Sequence, residues 1–285
     1  MLRATGFTTL VAALFLLGPG ARADAAVRLD PLQNDLGSYR VYFRDRLLGT
    51  EKFSLEPRGD SVLVFSNVDQ ILPTPDGDRR LDKKASMVVK ALDYGLLGYT
   101  SEQNFMGRRL LRGLNVYDTT FTAYRESAEA GSGETFLRPP GRLFVVDGQV
   151  FVLFDIMLRS LHGKMLGERP ISVVVLSEPR DSVMEIQFRP GTSETIRLDG
   201  KPRTARKVSL SDGYNEFVAW ISPRGSMLRL EQPALGVRVD RLITASRTGK
   251  AAPATAPAKA APAGAAIPQA KPSAPPGKPK TPAGR

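Results

Sequence analysis

The one histidine in this 285-residue chain, His162, lies close to Ser160 and Asp155. Serine, histidine and a carboxylate in one stretch invite a nucleophilic triad, with imidazole taking the hydroxyl proton and the acid orienting the ring. Two positions apart on a helix, however, Ser160 and His162 point to different sides. No Gly-x-Ser-x-Gly elbow occurs to present a nucleophile. The helix macrodipole alone favours a cation at the C-terminal end, and that structural role suits His162. The chain has no cysteine, which removes thiol nucleophiles, thiolate zinc sites, disulfides and an acylated lipoprotein N-terminus. A single histidine also excludes any site with two imidazole ligands.

The acidic residues carry no sharper signal. Asp76-Gly77-Asp78 lacks the further oxygen ligands and closing Glu of a calcium loop, and reads as a turn. Asp118-Thr119-Thr120 lacks the glycine of an aspartic-protease triplet and has no second copy. Glu51, Glu56, Glu102, Glu126, Glu185, Glu194, Glu216 and Glu231 are scattered through strand-like segments. A glycosidase needs two carboxylates across a sugar, and the sequence nominates no such pair. The reading is therefore non-enzymatic, with no cofactor and no metal.

Two sets of residues remain as binding candidates. Arg108, Arg109 and Arg112 form a basic cluster that could hold an anionic head group. Strand alternation puts Arg108 and Arg112 on one face and Arg109 on the other, and a solvated or edge-protecting strand face is the plainer reading. Phe151, Phe154, Leu158 and Leu161 recur at spacings of three and four, so on a helix they form one apolar stripe. With Trp220 they are the candidates for a ligand groove; the alternative is ordinary core packing.

The elements that would position these residues are mostly strands. Period-two alternation with β-branched and aromatic residues marks 38–43, 50–55 and the stretch containing Val62, Val64 and Val68. Residues 73–78 read as a loop, and further strands are expected at 85–92, 97–105, 110–117 and 119–124. The period then changes, and a long apolar helix is expected at about 149–162, started by Asp147-Gly148 and ended by Gly163. Strands resume at 171–176, 183–188, 195–198, 205–210, 216–221, 227–230 and 237–242, with turn chemistry at Asp199-Gly200, Asp212-Gly213 and Pro223-Arg224-Gly225. Turn signals recurring about every ten residues indicate a meander or barrel. The fold class is thus mainly β: a large curved antiparallel sheet or half-open barrel with one helix packed on it.

The ends of the chain differ from this core. Residues 1–25 have the three parts of an export signal: Arg3, a short apolar run over 6–17, and small residues at Ala21, Ala23 and Ala25. The run is too short to span a bilayer comfortably, which takes about 20 residues. Residues 248–285 hold nine Pro, five Lys, one Arg and no acid. Proline blocks helix and sheet, and with so few apolar side chains little offsets the ordering entropy, so a disordered basic tail is expected. The tail supplies six of the eleven net positive charges and the export signal one, leaving a mild excess of four on the single domain at 26–247. That is poor evidence for nucleic acid.

Tyr39-Arg-Val-Tyr-Phe43 with Gly49 and Phe53, the helix after Val145-Val146-Asp147, and Ala219-Trp220-Ile-Ser-Pro-Arg-Gly225 before Leu228 and Pro233 resemble a group of exported bacterial β-proteins of unknown function. That group is thought to be similar to the lipoprotein-localisation-factor fold, a strongly curved antiparallel sheet around helical segments. The resemblance covers roughly residues 36–243 and implies an envelope location but no catalytic residues. Members often carry a histidine within the helix; here Phe154 and Asp155 sit near its middle. Three functions follow as expectations: a carrier of an apolar or lipid-like ligand, a structural protein tied by its basic tail to anionic envelope polymer or a partner, and a carboxylate-dependent hydrolase.

Overall fold

The computed structural model describes residues 34–162, 170–177 and 180–243. The expected export signal and basic tail lie outside the described residues. Eight strands come first: β1 (Asp35–Phe43), β2 (Arg46–Arg58), β3 (Ser61–Thr74), β4 (Gly77–Lys90), β5 (Leu96–Phe105), β6 (Arg108–Val116), β7 (Thr120–Ser127) and β8 (Gly131–Leu137). Then come β9 (Leu143–Asp147), the helix α1 (Val152–His162) and β10 (Ile171–Leu176). The chain returns through β11 (Ser182–Leu198), β12 (Lys201–Ser211), β13 (Glu216–Ile221), β14 (Met227–Gln232) and β15 (Val237–Arg241).

Tight hairpins explain the meander. Arg44 and Asp45 both take positive φ, at 47° and 65°, as do Met106 and Gly107, and Asp199 and Gly200. Two consecutive left-handed residues match the right-handed twist of the flanking strands. The strands form one 15-stranded sheet in the order β8-β7-β6-β5-β4-β3-β2-β1-β15-β14-β13-β12-β11-β10-β9. All neighbours are antiparallel except β9 and β10, which run parallel with α1 as the crossover between them.

This topology forces curvature. The chain starts in the middle of the sheet, meanders to one edge at β8, and begins again at the opposite edge with β9. Laid flat, 15 strands at a spacing of ~4.8 Å would hold those edges about 67 Å apart. The connection from Leu137 to Leu143 reaches at most about 22 Å. The sheet must therefore curl until its two ends are neighbours, although β8 and β9 do not pair and the sheet stays open.

Side chains join the two ends. Arg125 on β7 donates to Ser177 O at 3.0 Å and to Asp181 at 2.9 Å. Arg180 binds Glu134 on β8. Arg112 on β6 reaches Leu176 O at the end of β10. The helix lies inside the curl, with nine of its residues buried. It begins at Val152 rather than 149 because Gln149 takes a left-handed φ of 69° in the turn after β9.

A second, smaller core lies on the outside. Pro190 and Ser193 bracket a bulge in β11 that moves the following even-numbered residues to the other face of the sheet. Ile196 and Leu198 thereby meet Val218, Trp220 and Leu228, while Phe217, Ala219 and Ile221 of the same strand β13 face the main core.

Candidate functional site

Three buried carboxylates fix the helix within the sheet. Glu51 sits between Leu48 and Phe53 on the inner face of β2 and is 0% exposed. Its carboxylate accepts Phe151 N–H at 2.8 Å, Val152 N–H at 3.2 Å and the Ser66 hydroxyl at 2.6 Å. It caps α1 from a distant strand, satisfying N–H groups that a helix start leaves open. Burial pushes the Glu51 carboxyl up to about 7, against the downward pull of Ser66 and the two amides.

Asp147 ends β9 with its side chain enclosed. Lys83 donates to it at 2.6 Å, Tyr99 at 2.8 Å, Ser101 at 2.7 Å and Arg112 at 3.4 Å. Lys83 also donates to Gly148 O at 2.9 Å. Burial holds the Lys83 ammonium below its usual range, with Asp147 opposing that drop. One carboxylate thus ties β9 to β4, β5 and β6.

Asp155, in the first turn of α1, accepts Met227 N–H at 2.7 Å and both nitrogens of the Arg159 fork at 3.0 and 3.1 Å. Arg159 also binds Asp35, and Arg241 reaches both Asp35 and Asp155. Burial raises the Asp35 carboxyl, but Arg241 and Arg159 outweigh it and hold the group below its usual range.

The triad residues are kept apart by these partners. Asp155 is engaged by Arg159 and Met227. The Ser160 hydroxyl donates to Asp93 O and accepts from Arg142. His162 Nε2 lies 3.0 Å from Pro223 O at the helix end. Among the described residues no group of acids or histidine is arranged to hold a metal ion. Asp78 on β4 pairs with Arg46 on β2.

The binding candidates are distributed over both faces. Phe151, Phe154, Leu158 and Leu161 share the inner core at 9%, 6%, 0% and 4% exposure, so the stripe is covered by the sheet. Phe154 packs on Phe217 of β13 with ring centroids 5.3 Å apart. Trp220 is on the opposite face, in the small outer core, so it does not line one groove with the stripe. Its indole N–H donates to Glu194, and Lys207 and Arg229 lie over its ring.

The expected solvated or edge-protecting face does not hold for the whole basic cluster, since β6 is an inner strand: Arg112 turns inward to Asp147, while Arg109 on the outside donates to Glu102 at 2.6 Å and Arg108 is exposed at the β5–β6 turn. The outer face of β2 to β6 carries a groove of about 510 Å³ that includes Phe65, Ser86, Thr100 and Leu111. Glu51, Lys83 and Asp147 do not stand out in the sequence as a structural site. The signal was present in the alternation, where Glu51 and Lys83 take inward positions in otherwise apolar strand faces.

No protein-family model matches the chain, and no curated protein matches it. A solved structure is similar in fold: the crystal structure of a beta-barrel-like protein of domain of unknown function DUF1849 from Brucella abortus. The TM-score is 0.50 over 74% of this chain and 96% of that one, at 10% identity. The likeness bears on fold alone, and it agrees with a resemblance to β-proteins of unknown function. No helix among the described residues is long and apolar enough to cross a membrane.

Proposed function

We propose that the chain is an exported, non-enzymatic binding protein of the cell envelope. In this reading α1 is a fixed plug of a lipoprotein-localisation-like sheet, and an apolar or lipid-like ligand is met on the outer face. The observation that carries it is the closed inner face: the helix stripe is buried, and Glu51, Asp147 and Asp155 anchor the helix and the strand before it by charge as well as by packing. Those same bonds disfavour a carboxylate-dependent hydrolase, since each buried acid is occupied by structural partners. The signal-like residues 1–25 support export, and the acid-free tail at 248–285 supports an added electrostatic hold on anionic envelope polymer.

Phe154→Ala tests the plug. Removing a ring from a sealed core should lower unfolding stability by about 3–5 kcal/mol. Urea unfolding measures that loss, and titration with a fluorescent fatty acid should find affinity unchanged. A loss of about 1 kcal/mol or less together with weakened probe binding would instead mean that the stripe lines an open inner groove.

A further inference from the structure

The outer groove has a construction that points to a ligand class. Register lines up Ser54, Phe65, Ser86, Thr100 and Gly113 across β2 to β6 on the face away from α1. Apart from Phe65 these side chains are small or absent, so they leave a trough running across the strands. The Ser86 and Thr100 hydroxyls share one hydrogen bond at 2.8 Å, which lowers the cost of covering them with apolar groups. Phe65, 43% exposed, stands in the row between Ser54 and Ser86. At the far end Gly113 is overlaid by the Tyr124 ring, with which any added side chain would overlap. The volume of about 510 Å³ is in the range of small-molecule sites.

The neighbouring row is Lys52, Asn67, Lys84, Glu102 and Leu111. Its one acid, Glu102, is neutralised by Arg109, whose hydrogen bond holds the carboxyl below its usual range. Lys52 and Lys84 flank Asn67 about 10 Å apart, two strand spacings, and hold no salt bridge among the described residues. The trough is therefore lined by Phe65, Leu111 and small hydroxyl side chains, and is positive on one rim.

We propose that this trough binds a single-chain amphiphile with an anionic head group, its chain against Phe65 and Leu111 and its head between Lys52 and Lys84. The proposal rests on the closed inner face, which puts the ligand outside. The test uses the full chain and cis-parinaric acid, a fluorescent fatty acid, with its methyl ester as the uncharged comparison. Ser86→Trp fills the trough and should weaken binding of the acid by at least about tenfold with the melting temperature unchanged. The double variant Lys52→Glu/Lys84→Glu keeps the trough open; it should weaken the acid by about tenfold at low salt and by less as salt is added. The ester should bind more weakly than the acid to the parent protein. Parent protein that binds no probe, or that binds the ester as well as the acid, overturns the proposal. Trough and lysine variants that both bind like the parent overturn the trough while leaving the closed inner face intact. Loss of binding in Phe154→Ala alone overturns both.

Discussion

Glu51 shows how one residue links the sheet to the helix and makes stability depend on pH. Its carboxyl is pushed up to about 7 by burial from an ordinary value of 4.5. Between those two values the folded protein holds a proton that the unfolded chain has released, so stability falls as pH rises through the window. The difference corresponds to about 3 kcal/mol, fully lost above the upper value. Glu51→Gln keeps the shape and removes the titration. Urea unfolding from about pH 5 to about pH 8 should therefore show a falling stability in the parent and a much flatter profile in the variant. An identical slope in both would locate the titrating group elsewhere. Asp35 acts with the opposite sign: its carboxyl is held low, so the stability it contributes is present at neutral pH and lost on acidification.

Among the elements, β9 is short yet joined to several others by one side chain. Asp147→Asn would remove the counter-charge that Lys83 meets in the interior, and removal of one partner from a buried pair costs about 3–5 kcal/mol. Lys83→Met alone should be destabilising for the same reason. The double variant should lose clearly less than the sum of the two, a coupling readable from denaturant unfolding; additive losses would mean that the two groups do not depend on each other. These interactions also explain which elements were legible in sequence. Strands with one wet face show alternation, as in β3, but the charged first half of β4 hides it: the sequence suggests a loop at 73–78 and a strand only from 85, where the structure turns tightly and pairs β4 from Gly77. β9 is buried along most of its length and reads as a continuous apolar run before a helix. β8 carries two glycines and only Phe136 packs against the core, so its pattern is weak. β11 reads as two strands because Pro190 and Gly191 interrupt it, whereas the structure bends it through a bulge. The helix stripe was legible, but its start was not, because its cap comes from Glu51 on another element and not from a neighbour in sequence.

At the scale of the whole molecule, the mainly β class and the helix α1 could be read from periodicity, while the curling of the sheet could not. Nothing local states that β15 pairs with β1 or that β8 and β9 meet; those follow only once the strand order is set against the length of the connection. The curl then decides where function can sit. It wraps the helix, turns the buried acids into anchors, and leaves the outer face as the accessible surface. Native-state hydrogen exchange of the α1 backbone amides tests this most directly, because a plug and a lid differ in how the helix opens. The account predicts that amides from Ile156 to Leu161 exchange only by global unfolding, with the same free energy and denaturant dependence as the central strands β1 and β15. Exchange at a free energy several kcal/mol lower, with little denaturant dependence, would show α1 lifting off an intact sheet and would contradict the account.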